Sequence, residues 1–328
     1  MDAAACEATA AGLNLEPVAF RVAYHRGMTD ITLIGPGAIG ATLSAWLSRV
    51  PEHRVAVGVR TPFRSIVLNT PGGRIEATPE VLTDPAQARP ADWVLVTTKA
   101  YDAALAARWF EKSVGEHTRL AVIQNGVEHV ERFASYVDAD RIVPVMIDCP
   151  ATRHSPGEVT QGGPIHMVVP AGTNGAAFVA LFAGLHLDVR ETPDFATAVW
   201  KKLCLNSAGA VSAVLLEPAG IAYHEGVAGI LRAIVLECVA VGRMRGAVLA
   251  DEIADEIVER MRRGPRDASN SMLADRRAGR PMEIDARNGV IVRYGREHGV
   301  PTPMNALMVA LLEAAQDWRA AIPARSTT

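Results

Sequence analysis

Five short apolar runs rich in β-branched residues, ITLIG, RVAVGV, WVLVTT, RLAVIQ and RIVPVM, recur between Asp30 and Met146, separated by segments of helical pattern. Apolar positions that run on without alternating suit strands covered on both faces. The pattern predicts a doubly wound, Rossmann-type α/β fold with a parallel sheet. Residues 150–192 place Gly157, Gly162, Gly163 and Pro164 among further short apolar runs and read as the last strands of that sheet with their turns. Beyond Pro193 the apolar positions of DFATAVWKKLCLNSAGAVSAVLL, VAGILRAIVLECVAVGRM and NALMVALLEAAQDW fall three and four apart, which predicts an all-helical C-terminal domain. One helix is expected from about Phe195 to Val214, and Thr302 followed by Pro303 marks the start of another. The expected division is an N-terminal extension over 1–27, a sheet domain over 28–193 and a helical domain over 194–322.

Composition narrows the functional classes. Over 328 residues the net charge is −3, with 49% hydrophobic and 21% charged residues, so no electrostatic case exists for nucleic acid. Cys6, Cys149, Cys204 and Cys238 are scattered without a CxxC pair, which favours reduced thiols and a cytoplasmic protein over a disulfide framework or a zinc site. The longest nearly apolar stretch, Ala176 to Leu185, is much shorter than the roughly 18 residues of a membrane span. Residues 1–27 lack the basic start and apolar core of a secretory signal, and Met28 stands where a nucleotide-binding domain would begin.

The first apolar run leads into ITLIGPGAIGATL, in which Gly35, Gly37 and Gly40 form a G-x-G-x-x-G between a strand and a helix. Glycines let the backbone approach a pyrophosphate, and the N–H groups at the following helix start, around Ala38 and Ile39, receive its charge. A tight turn that uses glycine for sterics alone is the competing reading. Between Glu52 and Glu76 there is no acidic residue to bond a ribose 2′-hydroxyl, whereas Arg60 stands just past VAVGV, where a 2′-phosphate would lie. NADP (NADPH) is therefore expected rather than NAD. Lys99 and Asn125 follow the next two sheet runs, so four segments converge on the carboxyl edge where open α/β sheets bind ligands. A helix is expected to start at Val127.

On the helix expected at 195–214, Lys202, Asn206 and Ala210 share one stripe, and Lys201, Leu205 and Gly209 the next. Lys202 thus has a polar companion, and Lys201 reads as the solvent-facing neighbour. Farther on, Ser271, Asp275, Arg280, Glu283, Asp285 and Asn288 lie in two helical segments joined at Gly279-Arg280-Pro281; a solvated hairpin laced with ion pairs explains them equally well.

From ITLIGPGAIG through TTKAYD, QNGVEHVERF and WKKLCLN to SMLADRRAGRPMEIDARNG and GVPTPMN, the chain resembles the ketopantoate reductase (2-dehydropantoate 2-reductase) family over residues 29 to about 315. The resemblance implies an NADPH-dependent oxidoreductase of pantothenate biosynthesis, with a small 2-keto acid substrate bound between two domains. It implies Lys202 as general acid, Asn206 as its partner, and Asn125 and Ser271 as substrate-binding residues. Glu283 is implied to keep Lys202 charged or to bond a substrate hydroxyl, and Arg60 and Lys99 to hold the cofactor. Two departures stand out: Ala210 and Ala268 occupy places where the family typically carries asparagine. If Ala210 faces the cleft, discrimination for the hydroxyl of ketopantoate weakens. Reduction of a different 2-keto acid, or NADPH sensing without turnover, are the alternatives. A homodimer through uncovered apolar helix faces is a further expectation.

Overall fold

The computed structural model describes residues 27–321, so the sequence readings on residues 1–26 and 322 lie outside the described residues. The chain starts as β1 (Thr29–Ile34), α1 (Ala38–Leu47) and β2 (His53–Gly58), then a hairpin of β3 (Ile66–Thr70) and β4 (Gly73–Ala77). It continues with β5 (Glu80–Leu82), β6 (Ala91–Val96), α2 (Ala103–Ala107), α3 (Phe110–Ser113), β7 (Val114–Val122) and β8 (Ile142–Pro144). These supply a six-stranded sheet in the order β5-β2-β1-β6-β7-β8, with every neighbouring pair parallel. The order reverses between β1 and β6, which opens a crevice at their carboxyl ends.

Continuous apolar strands have two covers to fill. Leu33 and Leu95 point to one face, where they pack with Leu43, Leu47 and Phe178; Ile34, Val94 and Val96 point to the other, with Trp109, Phe110 and Phe133. All five expected runs fall in this sheet or just beyond it.

Residues 146–192 correct one expectation. They do form strands, β9 (Met146–Asp148), β10 (Ala151–Ser155), β11 (Glu158–Gln161), β12 (His166–Pro170) and β13 (Asp188–Thr192), with α4 (Thr173–Ala180) between the last two. None extends the parallel sheet. β10 and β11 join the β3–β4 hairpin as a mixed sheet in the order β10-β11-β3-β4, and β13-β12-β9 form a third. The mixed sheet closes over α1, where Ala41 and Ala45 are small enough to admit Ile66, Leu68, Ile75 and Val159. The helix expected at Val127 is replaced by consecutive turns over residues 129–136.

The helical part contains α5 (Phe195–Leu215), α6 (Glu225–Met244), α7 (Ile253–Arg263), α8 (Ser271–Arg277), α9 (Val290–His298) and α10 (Pro303–Ala321). Asp194 starts α5 by accepting from the Thr197 N–H at 3.0 Å. The small residues of NSAGAVSA let α5 pack closely at the centre: Leu203, Ala208 and Val211 meet Leu231, Ile234 and Val235 of α6. A π-helical turn, Asp285–Gly289, precedes α9. No helix among the described residues is long and apolar enough to cross a membrane.

Candidate active site

The register brings the carboxyl ends of four strands level, pairing Ile34 with Gly58 and with Val96, and Val96 with Val122. Gly35, Arg60, Lys99 and Asn125 therefore leave the sheet along one edge.

The three glycines have different work. Gly35 has φ +86°, and a Cβ on it would lie 2.5 Å from Thr98 Cγ2; a Cβ on Gly40 would lie 2.3 Å from Thr97 Oγ1. Both are required by packing. Gly37 is not, since its Cβ would meet nothing closer than the Gly35 carbonyl at 4.0 Å. An open glycine face at a helix start with no side-chain cap and no acidic residue in its first turn fits an incoming pyrophosphate. The reading of a turn shaped by sterics alone leaves Gly37 unexplained.

Arg60 is 87% exposed and lies 4.0 Å from Asp102, so its guanidinium stands in solvent at the end of β2. Lys99 is engaged elsewhere. Its Nζ donates to Asp275 Oδ2 at 2.7 Å and Glu283 Oε2 at 3.3 Å, which ties the sheet edge to the helical part. Burial acts to lower the Lys99 pKa, but Glu283 and Asp275 outweigh it and hold the ammonium above its usual range.

Glu283 is buried and also accepts from Asn125 Nδ2 at 2.8 Å and from the Ala100 N–H at 3.1 Å. Burial pushes its pKa up, yet Lys99, Arg287 and these donors bring it below the usual glutamate range. The expected pairing of Glu283 with Lys202 is thus corrected: the carboxylate belongs to Lys99 and Asn125.

Lys202 ion-pairs with Asp148 Oδ1 at 2.8 Å, a partner at the end of β9 that the sequence reading did not include. Against burial, Lys202 and then Arg260 and His166 keep Asp148 below the usual carboxylate range. Lys202 is 20% exposed, whereas Lys201 is 59% exposed and pairs with Glu256, as the stripe argument expects. Asn206 does not bond Lys202; its Nδ2 donates to Asn125 Oδ1 at 3.3 Å. The three nevertheless line one small pocket, with Gln124, His129, Met146 and Leu203 completing its walls.

Hydrogen-bond chemistry fixes the amides. A carboxylate only accepts, so Asn125 must give Glu283 its Nδ2 and turn Oδ1 to Asn206; Asn206 then keeps Oδ1 for a donor. His129 donates Nε2–H to the Gln124 carbonyl at 2.9 Å, and burial, then Arg132, drive its pKa down to about 4, so it is neutral at physiological pH. Beside Asp148, burial lifts the Cys149 thiol to about 12, so no thiolate nucleophile exists here.

The polar segment after residue 270 divides. Ser271, Arg280 and Asp285 have solvent access, but Asp275, Glu283 and Asn288 are buried. Asn288 donates to Asn305 Oδ1 at 3.0 Å, a structural role its sequence context did not suggest.

Ala210 also departs from expectation. It is fully buried in the helical core and does not line the pocket of Lys202 and Asn206. Each four-residue step overshoots a 3.6-residue turn, so two steps rotate a residue by roughly 80° around the helix. The argument for weak hydroxyl discrimination therefore fails. Instead, Ala210→Asn forces extra atoms into a packed core and should lower stability by about 1–3 kcal/mol, measured by chemical unfolding.

The family model "Ketopantoate reductase PanE/ApbA" matches residues 31–174, and "Ketopantoate reductase PanE/ApbA C terminal" matches residues 194–316. The chain belongs to the ketopantoate reductase family. It is 51% identical over 288 residues to the 2-dehydropantoate 2-reductase of Caulobacter vibrioides, covering 88% of this chain and 99% of that relative. Identity to the 2-dehydropantoate 2-reductase of Mycobacterium tuberculosis strain H37Rv is 38% over 291 residues, covering 88% and 98%. The crystal structure of a PanE/ApbA family ketopantoate reductase from Ralstonia eutropha JMP134 matches with a TM-score of 0.82 at 28% identity, over 89% of this chain and 99% of that one. Ketopantoate reductases use a nicotinamide cofactor.

Proposed function

We propose that this chain is a 2-dehydropantoate 2-reductase that reduces the keto group of ketopantoate to the hydroxyl of pantoate with NADPH. The observation that carries this reading is the meeting of Lys202, Asn206 and Asn125 in one pocket at the carboxyl edge of a sheet that carries the glycine turn. In this reading Gly35, Gly37, Ala38, Ile39 and Gly40 receive the pyrophosphate, Arg60 the 2′-phosphate, and Lys99 and Asn125 border the cofactor on the same edge.

Bound NADPH supplies the hydride. The protein must handle the charge that develops on the carbonyl oxygen. Lys202 Nζ carries three N–H donors; with one on Asp148, two remain for the substrate. Its ammonium stabilises the alkoxide, then an N–H bond breaks as the O–H bond forms. Asp148 holds the ammonium in place, and Asn206, fixed through Asn125 and Glu283, presents an acceptor to a substrate hydroxyl. Ser271 serves the substrate's carboxylate. A homodimer is part of this proposal, because Ile230, Leu236, Leu307 and Leu311 leave apolar side chains exposed on helices of the C-terminal half.

The test is whether pantoate forms in step with NADPH consumed. The cofactor assignment has its own check. Arg60→Ala should raise the KM for NADPH by roughly ten-fold or more, as expected for losing charge-assisted bonds to a phosphate, and leave the KM for NADH nearly unchanged. Equal losses with both cofactors would place Arg60 away from the 2′-phosphate.

A further inference from the structure

His129 lines the pocket of Lys202 and Asn206, yet takes no part in the hydride or proton transfer. Its place follows from the turn before it. Gly126 has φ +98°, a left-handed conformation that glycine adopts without strain, and the chain doubles back until the imidazole reaches the Gln124 carbonyl. A carbonyl only accepts, so Nε2 carries the ring proton and Nδ1 is left a bare acceptor. The ring stands edge to face with Phe195, their centroids 6.3 Å apart. His129 is 1% exposed, and its Nδ1 is buried with no hydrogen-bond partner among the described residues.

A buried acceptor left bare is destabilising, so its retention calls for a donor. The neighbouring amides are already engaged. Gln124 Oε1 accepts from Arg132 at 3.3 Å, and Gln124 Nε2 donates to Thr98 Oγ1 and the Lys99 carbonyl. Asn125 is held at both ends, by Glu283 and by Asn206. Among the side-chain oxygens and nitrogens of the pocket wall, the acceptors that remain are Asn206 Oδ1 and His129 Nδ1. The cavity measures about 10 Å³, room for one oxygen atom. A carbonyl or carboxylate oxygen carries no proton and pairs with neither acceptor. A hydroxyl pairs with either, or with both through a three-centre bond.

We propose that His129 is a specificity-determining residue, whose Nδ1 accepts the hydroxyl proton that distinguishes ketopantoate from 2-keto acids without a hydroxyl. This rests on the function proposed above and adds to Asn206 a second acceptor for that hydroxyl. Lys202 addresses the keto oxygen; His129 reads the far end of the same molecule.

The experiment compares ketopantoate with trimethylpyruvate, its analogue lacking only the hydroxyl, for the full-length wild type, His129→Gln and His129→Asn, with NADPH. Glutamine can put its amide nitrogen where Nε2 stood and keep the bond to Gln124, but it has no acceptor at the place of Nδ1. Asparagine puts its amide oxygen near that place. The wild type should favour ketopantoate by about 100-fold or more in kcat/KM, because the analogue leaves buried acceptors unpaired. His129→Gln should reduce that ratio by about ten-fold or more through a loss with ketopantoate, the remainder resting on Asn206. His129→Asn should retain most of it. A folded His129→Gln enzyme that keeps the wild-type ratio overturns the inference and leaves Nδ1 to an ordered water only, as does a wild type that uses both acids equally well. Should His129→Gln fail to fold, the nitrogen NMR shift of Nδ1 in the wild type decides: a response to bound pantoate and none to bound trimethyllactate supports the assignment, and equal shifts with both refute it. A wild type that turns over neither acid refutes the proposed function, and the role of His129 with it.

Discussion

Lys202→Ala should reduce kcat by about 100-fold or more, the usual loss when a positioned general acid is removed. The protein should remain folded and bind NADPH, because among the described residues Lys202 Nζ bonds Asp148 alone and leaves the helical core untouched. Lys201→Ala is the control. Its ammonium pairs with Glu256 at 3.6 Å on the outer surface, and exposed pairs of this kind contribute less than about 1 kcal/mol. Steady-state turnover with ketopantoate and NADPH, beside direct NADPH binding, checks both variants. Loss of activity in Lys201→Ala with retention in Lys202→Ala would mean that the wrong lysine faces the chemistry.

The second large effect is on stability. Glu283→Ala removes the carboxylate that joins Lys99, Asn125 and the Ala100 N–H, and leaves Lys99 and Arg287 with less compensation. Breaking a buried ion pair costs about 3–5 kcal/mol, and the lower end applies because Lys99 is 35% exposed and keeps access to water. The effect should depend on pH in a defined way. Glu283 has a depressed folded pKa, so its contribution is present above the unfolded value of about 4.3 and is lost as pH falls through the folded one. Lys99 has a raised folded pKa, so its contribution is present below about 10.4 and is lost as pH rises through the folded value. The difference between wild type and Glu283→Ala should therefore be largest between roughly pH 5 and 9 and narrow on both sides. Urea unfolding across that range measures it; a difference that does not vary with pH would assign the loss to packing.

Much of this architecture is legible in the pattern of apolar positions. Buried parallel strands announce themselves as unbroken β-branched runs, and the change to helical spacing after Pro193 is real. The β3–β4 hairpin and the strands of 146–192 were harder to place, because a short run does not say which sheet it will join. For β3, β4, β10 and β11 that choice is made by the small apolar face of α1, whereas β9, β12 and β13 form a sheet of their own. In the site, helical spacing separates Lys202 from Lys201, since only one can share a stripe with Asn206. Its limit is Ala210, where the rotation accumulated over two turns carries the side chain into the core. Ion pairs were illegible for a different reason. Asp148 lies 54 residues from Lys202, and Glu283 lies 184 from Lys99, so no local spacing links them. Arg287 escaped notice because an arginine among charged residues reads as surface, and only its burial distinguishes it.

The most direct test of the account is NADPH oxidation by the purified full-length protein with ketopantoate, beside pyruvate and 2-ketoisovalerate. Ketopantoate should give the highest kcat/KM, with pantoate as product and NADPH preferred to NADH by roughly ten-fold or more. Intact NADPH binding without turnover of any of these acids would contradict it and leave a protein that senses the cofactor instead of using it.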